Sequence, residues 1–154
     1  NLLHGPYPPP QYRRVMLPLT VLRRLDCVLE PTKEKVLAEH AALKGRKLDE
    51  STIERTIKHK FKLPLFNTSK FTFKKLLDDP DKIAFNLVAY LKGFSSDARR
   101  ILEHFDFDAE IQKLDQANRL FEVIKQFNEI GLHPDRVSNI QMGLVFEDLV
   151  RRFN

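Results

Sequence analysis

The sequence has one cysteine, no tryptophan and only five glycines among its 154 residues. A lone Cys27 excludes an internal disulfide framework and fits a reducing compartment. The glycines stand far apart, and the closest pair is Gly131 and Gly143. No glycine-rich turn can therefore cradle a nucleotide or an adenosyl cofactor. We expect this chain to carry no cofactor-binding loop of its own.

Long apolar runs are also missing, since none approaches the roughly 20 residues that span a bilayer. We therefore expect no membrane contact and a cytoplasmic location. The ends lack the usual signals as well. "NLLHGPYPPP" has no initiator methionine, and "QMGLVFEDLVRRFN" is not followed by a glycine, proline or turn cluster. We expect the chain to be a piece of a larger protein.

Residues that could do chemistry do not gather in the sequence. The five histidines are dispersed singly, which predicts no metal site. Two acidic groups, "DDPD" (78–81) and "FDFDAE" (105–110), could serve acid–base chemistry or hold a cation. Both stand where helical patterns begin, so we predict that they cap helices instead. Cys27 lies among leucine and valine, which predicts a buried structural thiol.

Helical signals run through nearly the whole chain and predict an all-α fold, an irregular bundle of about seven helices. Pro18 should kink or restart the first helix. Gly45, Gly93 and Gly131 are predicted to stop three others. The segment 61–73, "FKLPLFNTSKFTF", breaks the pattern and is predicted to be irregular, with room for one short strand. The predicted helical stretches lie within 8–31, 33–44, 49–60, 76–92 (with Asp79 as the cap and Pro80 in the first turn), 95–105, 108–130 (one helix or two) and 141–154.

The last of these stretches is amphipathic. Met142, Val145, Phe146, Leu149 and Phe153 recur at three- and four-residue spacing, and Ser138 or Asn139 could cap its start. We expect Phe146, Leu149 and Phe153 to pack inward, with Arg151 and Arg152 facing outward or toward the domain that would follow.

Charge is distributed unevenly along the chain. The net charge is +5, but residues 44–75 carry ten Lys and Arg against three acids, a balance of +7. Residues 76–118 carry five against nine, a balance of −4. This asymmetry favours a nucleic-acid face beside a separate protein-contacting face, and the alternative is two solvated surfaces.

The basic segment supplies the candidate nucleic-acid residues. Phosphate contact needs flexible cations together with hydroxyl and amide donors, and this segment contains both. The alternative is that its lysines are merely solvated; in either case we expect its phenylalanines to be buried. The candidates are Lys58, Lys60, Lys62, Asn67, Thr68, Ser69, Lys70, Lys74 and Lys75. Arg23 and Arg24 flank an apolar face, so one of them could be an internal ion-pair partner.

Four stretches together resemble one family. They are "QYRRVMLPLTVLRRLDCVLEPTK", "FNTSKFTFKKLLDDPDKIAFNLVAYLKGFS", "ILEHFDFDAEIQKLDQANRL" and "NIQMGLVFEDLVRRFN". They are similar to the N-terminal helical region of the modification (M) subunit of type I restriction–modification DNA methyltransferases. The resemblance runs from about Gly5 to Asn154. It implies one N-terminal helical domain over 1–154, followed by a catalytic methyltransferase domain.

The resemblance also implies a function. The parent enzyme would transfer a methyl group from S-adenosylmethionine to adenine N6 in DNA, while this chain holds no catalytic residue or cofactor. The implied partners are DNA, a specificity (S) subunit, a restriction (R) subunit and a second M subunit. The domain would help to clamp DNA and to assemble the subunits. The alternative is a helical protein–protein assembly module with no direct DNA contact.

Overall fold

The structure, a computed structural model, describes residues 12–142. Within that range the chain is all-α, as predicted, with eight α-helices where the sequence indicated about seven. Two 3₁₀ turns, Glu30–Thr32 and Pro80–Lys82, precede α2 and α5. No helix of these residues is long and apolar enough to cross a membrane. The helices are α1 (Tyr12–Leu29), α2 (Lys33–Gly45), α3 (Glu50–Phe61), α4 (Phe73–Leu76), α5 (Ile83–Lys92), α6 (Ser96–Glu103), α7 (Phe107–Gln116) and α8 (Leu120–Asn128).

Helix α1 runs through Pro18 without a break, so the predicted restart is wrong. A proline inside a helix removes one hydrogen bond and costs about 3 kcal/mol. Burying a leucine or methionine returns roughly 1.5–3 kcal/mol each. The fully buried stripe spans both sides of the proline, and that burial outweighs the local penalty. Its members are Val15, Met16, Leu19 and Leu22.

Residues 12–142 form two hydrophobic clusters, and the partly buried Leu63 packs against both. The larger joins α1 to helices α4 through α8. The smaller belongs to the hairpin of α2 and α3, and Phe66 from the following segment completes it. Two helices thus share a core of their own beside the main body. The smaller cluster consists of Val36, Leu43, Ile53, Ile57 and Phe66.

The predicted stop at Gly93 is confirmed, because Gly93 is the C-cap of α5. Helix α3 begins at a cap that was not predicted, since the Asp49 carboxylate accepts a hydrogen bond from the Thr52 N–H at 2.8 Å. Helix α2 ends at Gly45, yet the left-handed residue that follows is Lys47 (φ 58°). The stretch 108–130 forms two helices, as one of the two alternatives had it, and α8 ends at Asn128 instead of Gly131. The four-residue α4 was not predicted as a separate helix.

The acidic groups stand at helix starts but do not cap them as predicted. Asp79 and Asp106 occupy the N-cap positions of the second 3₁₀ turn and of α7, and neither side chain makes a cap hydrogen bond. The N-cap geometry that lets a side chain reach the N2 or N3 amide is usually extended. Asp106 is instead left-handed (φ 48°, ψ 47°).

Helix α6 receives its cap from another helix. Ser95 stands at the predicted start, but its side chain makes no cap hydrogen bond. The carboxylate of Glu54 in α3 instead accepts hydrogen bonds from the Ser96 N–H and Oγ, both at 2.8 Å. The first turn of α6 is therefore tied to a residue 42 positions earlier.

The end of the described range begins another helix. Residues 139–142 are helical. The Ser138 Oγ accepts from the Gln141 N–H at 3.1 Å, and the Gln141 Oε1 accepts from the Ser138 N–H at 2.8 Å. This reciprocal pair is a capping box and confirms the predicted helix start. The predicted inward packing of Phe146, Leu149 and Phe153 lies outside the described residues.

Candidate nucleic-acid interface

The first lysines of the candidate set are engaged by acids. Lys58 and Lys60 lie in the last turn of α3, where positive charge complements the helix dipole. The Lys58 Nζ lies 2.9 Å from the Asp97 carboxylate of α6. Lys60 pairs with Glu39 of α2. Both cations are therefore partly neutralised by the protein itself.

Asn67 is buried and structural. Its side chain is enclosed at 2% exposure, and all its polar atoms have partners. The Nδ2 donates to the Tyr90 carbonyl at 2.8 Å, while the Oδ1 accepts from Lys33 Nζ at 3.0 Å and from the Ser69 N–H at 2.9 Å. The Ser69 hydroxyl also donates to that Oδ1. These contacts fix the turn at 67–69 against α2 and α5 and enclose the Asn67 side chain.

A close backbone approach holds the same turn from the other side. Asn67 and Phe94 form an isolated antiparallel bridge. The Thr68 N–H donates to the Gly93 carbonyl at 2.8 Å, and the Ser95 N–H donates to the Phe66 carbonyl at 2.8 Å. A Cβ at Gly93 would lie 2.8 Å from the Ser69 Cβ and 2.9 Å from its nitrogen. The glycine is required here for space, because its φ of −79° suits any residue.

The remaining lysines of the candidate set are exposed cations. Within residues 14–142 none of them makes an ion pair with an acid. Thr72 begins α4 by accepting a hydrogen bond from the Lys75 N–H at 3.1 Å, which fixes the backbone that carries two of them. These four side chains are Lys62, Lys70, Lys74 and Lys75.

A buried ionic network supports α4 from below. The Asp26 carboxylate accepts from Arg23 at 2.8 Å, from the Tyr90 hydroxyl at 2.8 Å and from the Phe73 N–H at 3.2 Å. Arg23 also donates to the carbonyls of Asn128 and Ile130, so the expected internal ion pair is formed by Arg23. Burial raises the pKa of Asp26, and the hydrogen bond from Tyr90 opposes that rise.

Lys33 was not among the sequence candidates, yet it lies beneath the basic segment. Its side chain is 8% exposed, and its Nζ contacts Asn67 and lies 5.6 Å from the centre of the Tyr90 ring. Burial lowers the pKa of Lys33 to about 8, although the negative charge of Asp26 opposes that change. The positive charge of Lys75 lowers the pKa of Lys33 further.

Lys33 should make the free energy of unfolding increase with pH in the alkaline range. Its folded pKa of about 8 lies below the unfolded value of 10.5, so the unfolded state binds more protons through that window. Stability should therefore rise by about 1 kcal/mol between pH 7 and 9. Lys33→Met should abolish that rise because it removes the titrating amine. The Asn67 oxygen keeps its hydrogen bonds from Ser69, so the turn should stay in place. Urea denaturation at both pH values measures it, with exposed Lys35→Met as control. Parallel pH profiles for the native protein and Lys33→Met would contradict it.

Three further exposed cations lie outside the candidate set, at the opposite end of α3 from Lys62. Lys44, Arg46 and Lys47 surround the turn between α2 and α3, are exposed, and make no ion pair within the described part of the chain. These three residues contribute to the charge balance of 44–75. They are not in the candidate set because that set required hydroxyl or amide side chains beside the cations, and positive charge alone would have indicated them.

Other kinds of site find little support in the same range. Across residues 12–142 no three His, Cys, Asp or Glu side chains converge as metal ligands would. Cys27 is buried, as predicted, and its Sγ accepts a hydrogen bond from the Leu132 N–H at 3.4 Å. The described residues thus provide exposed basic side chains, but neither a cluster of metal ligands nor an exposed thiol.

Comparison with known proteins gives one finding. A family model described as the HsdM N-terminal domain matches residues 1–127. No curated protein and no solved structure matches the chain.

Proposed function

The chain belongs to the HsdM N-terminal domain family, the N-terminal domain of a type I restriction–modification modification subunit, and on this premise we propose that it contacts the DNA backbone and helps to assemble the subunits. The parent protein, in this proposal, transfers a methyl group from S-adenosylmethionine to adenine N6. The specificity subunit, the restriction subunit and a second modification subunit are its partners. The catalytic domain follows this one, and the cofactor belongs there.

One observation carries the DNA contact. Within the described residues, four exposed lysines make no ion pair with an acid: Lys62, Lys70, Lys74 and Lys75. Backbone hydrogen bonds at the end of α3, in the turn at 67–69 and at the start of α4 fix the chain that carries them. Fixed backbone lowers the entropy lost on binding, and unpaired ammonium groups can replace the counterions of DNA. Thr68 and Ser69 are half-buried and already hydrogen-bonded, so they add less.

The contact should be insensitive to DNA sequence. Lysine binds phosphate as a flexible point charge, whereas base reading needs side chains positioned in a groove. Affinities from such contacts typically fall near 10⁻⁴–10⁻⁶ M at physiological salt. The domain would therefore hold DNA while another subunit reads it.

Replacing Lys70, Lys74 and Lys75 with alanine should weaken DNA binding on the order of tenfold or more at low salt. Each lost phosphate contact should flatten the plot of log affinity against log salt by about 1. Fluorescence anisotropy with two unrelated duplexes, at two salt concentrations, measures both effects. The loss should be the same for either duplex.

The matched control removes three exposed lysines elsewhere: Lys82, Lys92 and Lys125. This variant has the same net charge, so it isolates the local contacts from the overall field. Equal affinity of the native chain and the Lys70, Lys74 and Lys75 variant would move the function to the alternative, an assembly module without DNA contact. The exposed Phe85 on α5 is the observation that favours that alternative.

A further inference from the structure

Phe85 is an exposed phenylalanine in a protein whose interior is rich in phenylalanine. Its side chain is 75% exposed on α5, whereas Ile83, Leu87 and Tyr90 of the same helix are buried. A single exposed apolar residue is common and needs no explanation. The surroundings of Phe85 are what give it meaning.

An apolar cavity opens one helical turn beyond Phe85. Val88 lines it and, at a spacing of three residues, lies about 5–6 Å from Phe85 between Cβ atoms. The cavity has a volume of about 170 Å³ and lies between α5, α6 and the start of α7. Its apolar lining is completed by Leu91, Leu102 and Phe107. Phe85 and the cavity therefore form one apolar surface, with a projecting ring beside a recess.

Unpaired acids border this surface. Glu103, Asp106 and Asp108 lie at the edge of the cavity, are exposed, and make no ion pair in the described part of the chain. Asp106 does not use its carboxylate to cap α7. Asp81 is also exposed and precedes Phe85 by four residues. These acids repel phosphate, so this surface is unsuited to the DNA contact that is proposed for Lys62, Lys70, Lys74 and Lys75.

The opposite edge of the cavity carries two cations. Arg99 donates to the Lys92 carbonyl at 3.2 Å, so part of its hydrogen-bonding capacity is used within the domain. The exposed Lys82 precedes Phe85 by three residues, so four acids stand against three cations around Phe85 and the cavity. The excess of acid lies on the side of Glu103, Asp106 and Asp108. A partner that fits must therefore be apolar at its centre and basic on the side that meets the acids.

We propose that Phe85 and this cavity dock an amphipathic segment of another subunit, with an aliphatic or aromatic side chain in the cavity and Lys or Arg against the acids. The inference rests on the assembly role proposed above and assigns it a surface. The inserted side chain would pack on Phe85, and the basic residues would meet Asp106 and Asp108. Hot spots of this kind combine a buried aromatic anchor with a charged rim.

The test is photo-crosslinking in the complete complex formed with the co-encoded subunits. Benzoyl-phenylalanine replaces Phe85, and mass spectrometry identifies the attached peptide. The expected product is a segment of a different subunit with apolar residues and at least two Lys or Arg within about two helical turns. The control carries the same probe in place of Ile101, which is exposed but does not line the cavity. It should give little or none of that product.

Any other product overturns the inference: a second copy of this subunit, residues of the same chain, a segment without basic residues, or nothing. A complex that forms without the crosslink leaves the assembly role intact. If the unsubstituted subunits fail to associate, both the assembly role and the docking surface are contradicted.

A substitution gives an independent readout. Phe85→Ser should weaken subunit association tenfold or more, because truncating an anchor residue has effects of that size. The melting temperature and the affinity for DNA should stay unchanged, since Phe85 is exposed, carries no charge and is not one of the lysines proposed to contact DNA. Unchanged association would contradict the proposal.

Discussion

Replacing Asp26 by asparagine is expected to lower the free energy of unfolding by about 3–5 kcal/mol. The carboxylate accepts hydrogen bonds from Arg23, the Tyr90 hydroxyl and the Phe73 N–H, all in the buried interior. An asparagine of the same shape has one acceptor oxygen and a donor group, so at least one of these donors loses its partner. It also leaves the guanidinium of Arg23 buried without a counter-ion. Natural domains have only about 5–15 kcal/mol to lose.

Urea denaturation followed by circular dichroism measures this loss. The matched control is Asp78→Asn on the surface, which should change stability by less than about 0.5 kcal/mol. A loss below about 1 kcal/mol for Asp26→Asn would show that solvent or another group compensates the arginine. It would also contradict the inference that this network stabilises α4.

Replacing Gly93 by alanine is expected to destabilise the domain by about 2–3 kcal/mol. The new Cβ would lie 2.8 Å from the Ser69 Cβ and 3.0 Å from the Asn67 Oδ1. Asn67 donates a hydrogen bond to the Tyr90 carbonyl, and the Ser69 N–H donates one to the Asn67 Oδ1, so neither neighbour can move without breaking these bonds. The backbone at Gly93 is right-handed, so strain in φ contributes nothing to this loss.

Gly45→Ala is the matched control and should act in the opposite direction. Gly45 is the last residue of α2, and nothing lies within 4 Å of an added Cβ. Alanine there should stabilise by about 0.4–1 kcal/mol, because the unfolded chain loses conformational freedom. Thermal unfolding of both variants compares the two glycines directly. Effects of the same sign would contradict the close approach of the two backbone segments at Gly93.

Local signals in the sequence predicted the helices well. The start and end of α2 follow from Pro31 and Gly45, and those of α5 from Pro80 and Gly93. These residues act through their own backbone and their immediate neighbours. Gly93 illustrates the limit, because its position was predicted from helix termination while its need for glycine comes from Ser69.

The candidate site depended on contacts between residues distant in sequence. Asn67 has the composition of a phosphate ligand, but its partners Lys33 and Tyr90 lie 34 and 23 positions away and bury it. Lys58 and Lys60 looked identical to Lys70 and Lys74 in the sequence. Asp97 and Glu39 set the first pair apart, and no periodic pattern announces those contacts. Phe85 likewise follows the apolar pattern of its helix and is exposed all the same.

The cap that Glu54 gives to α6 has a consequence for the order in which the chain assembles. During synthesis α3 leaves the ribosome before α6, so the acceptor is present before the amide that it must meet. An eight-residue helix is too short to be stable in isolation. Closing the intervening loop costs entropy that grows only slowly with its length, so the contact remains accessible. The hairpin of α2 and α3 therefore acts as a template on which the start of α6 is completed.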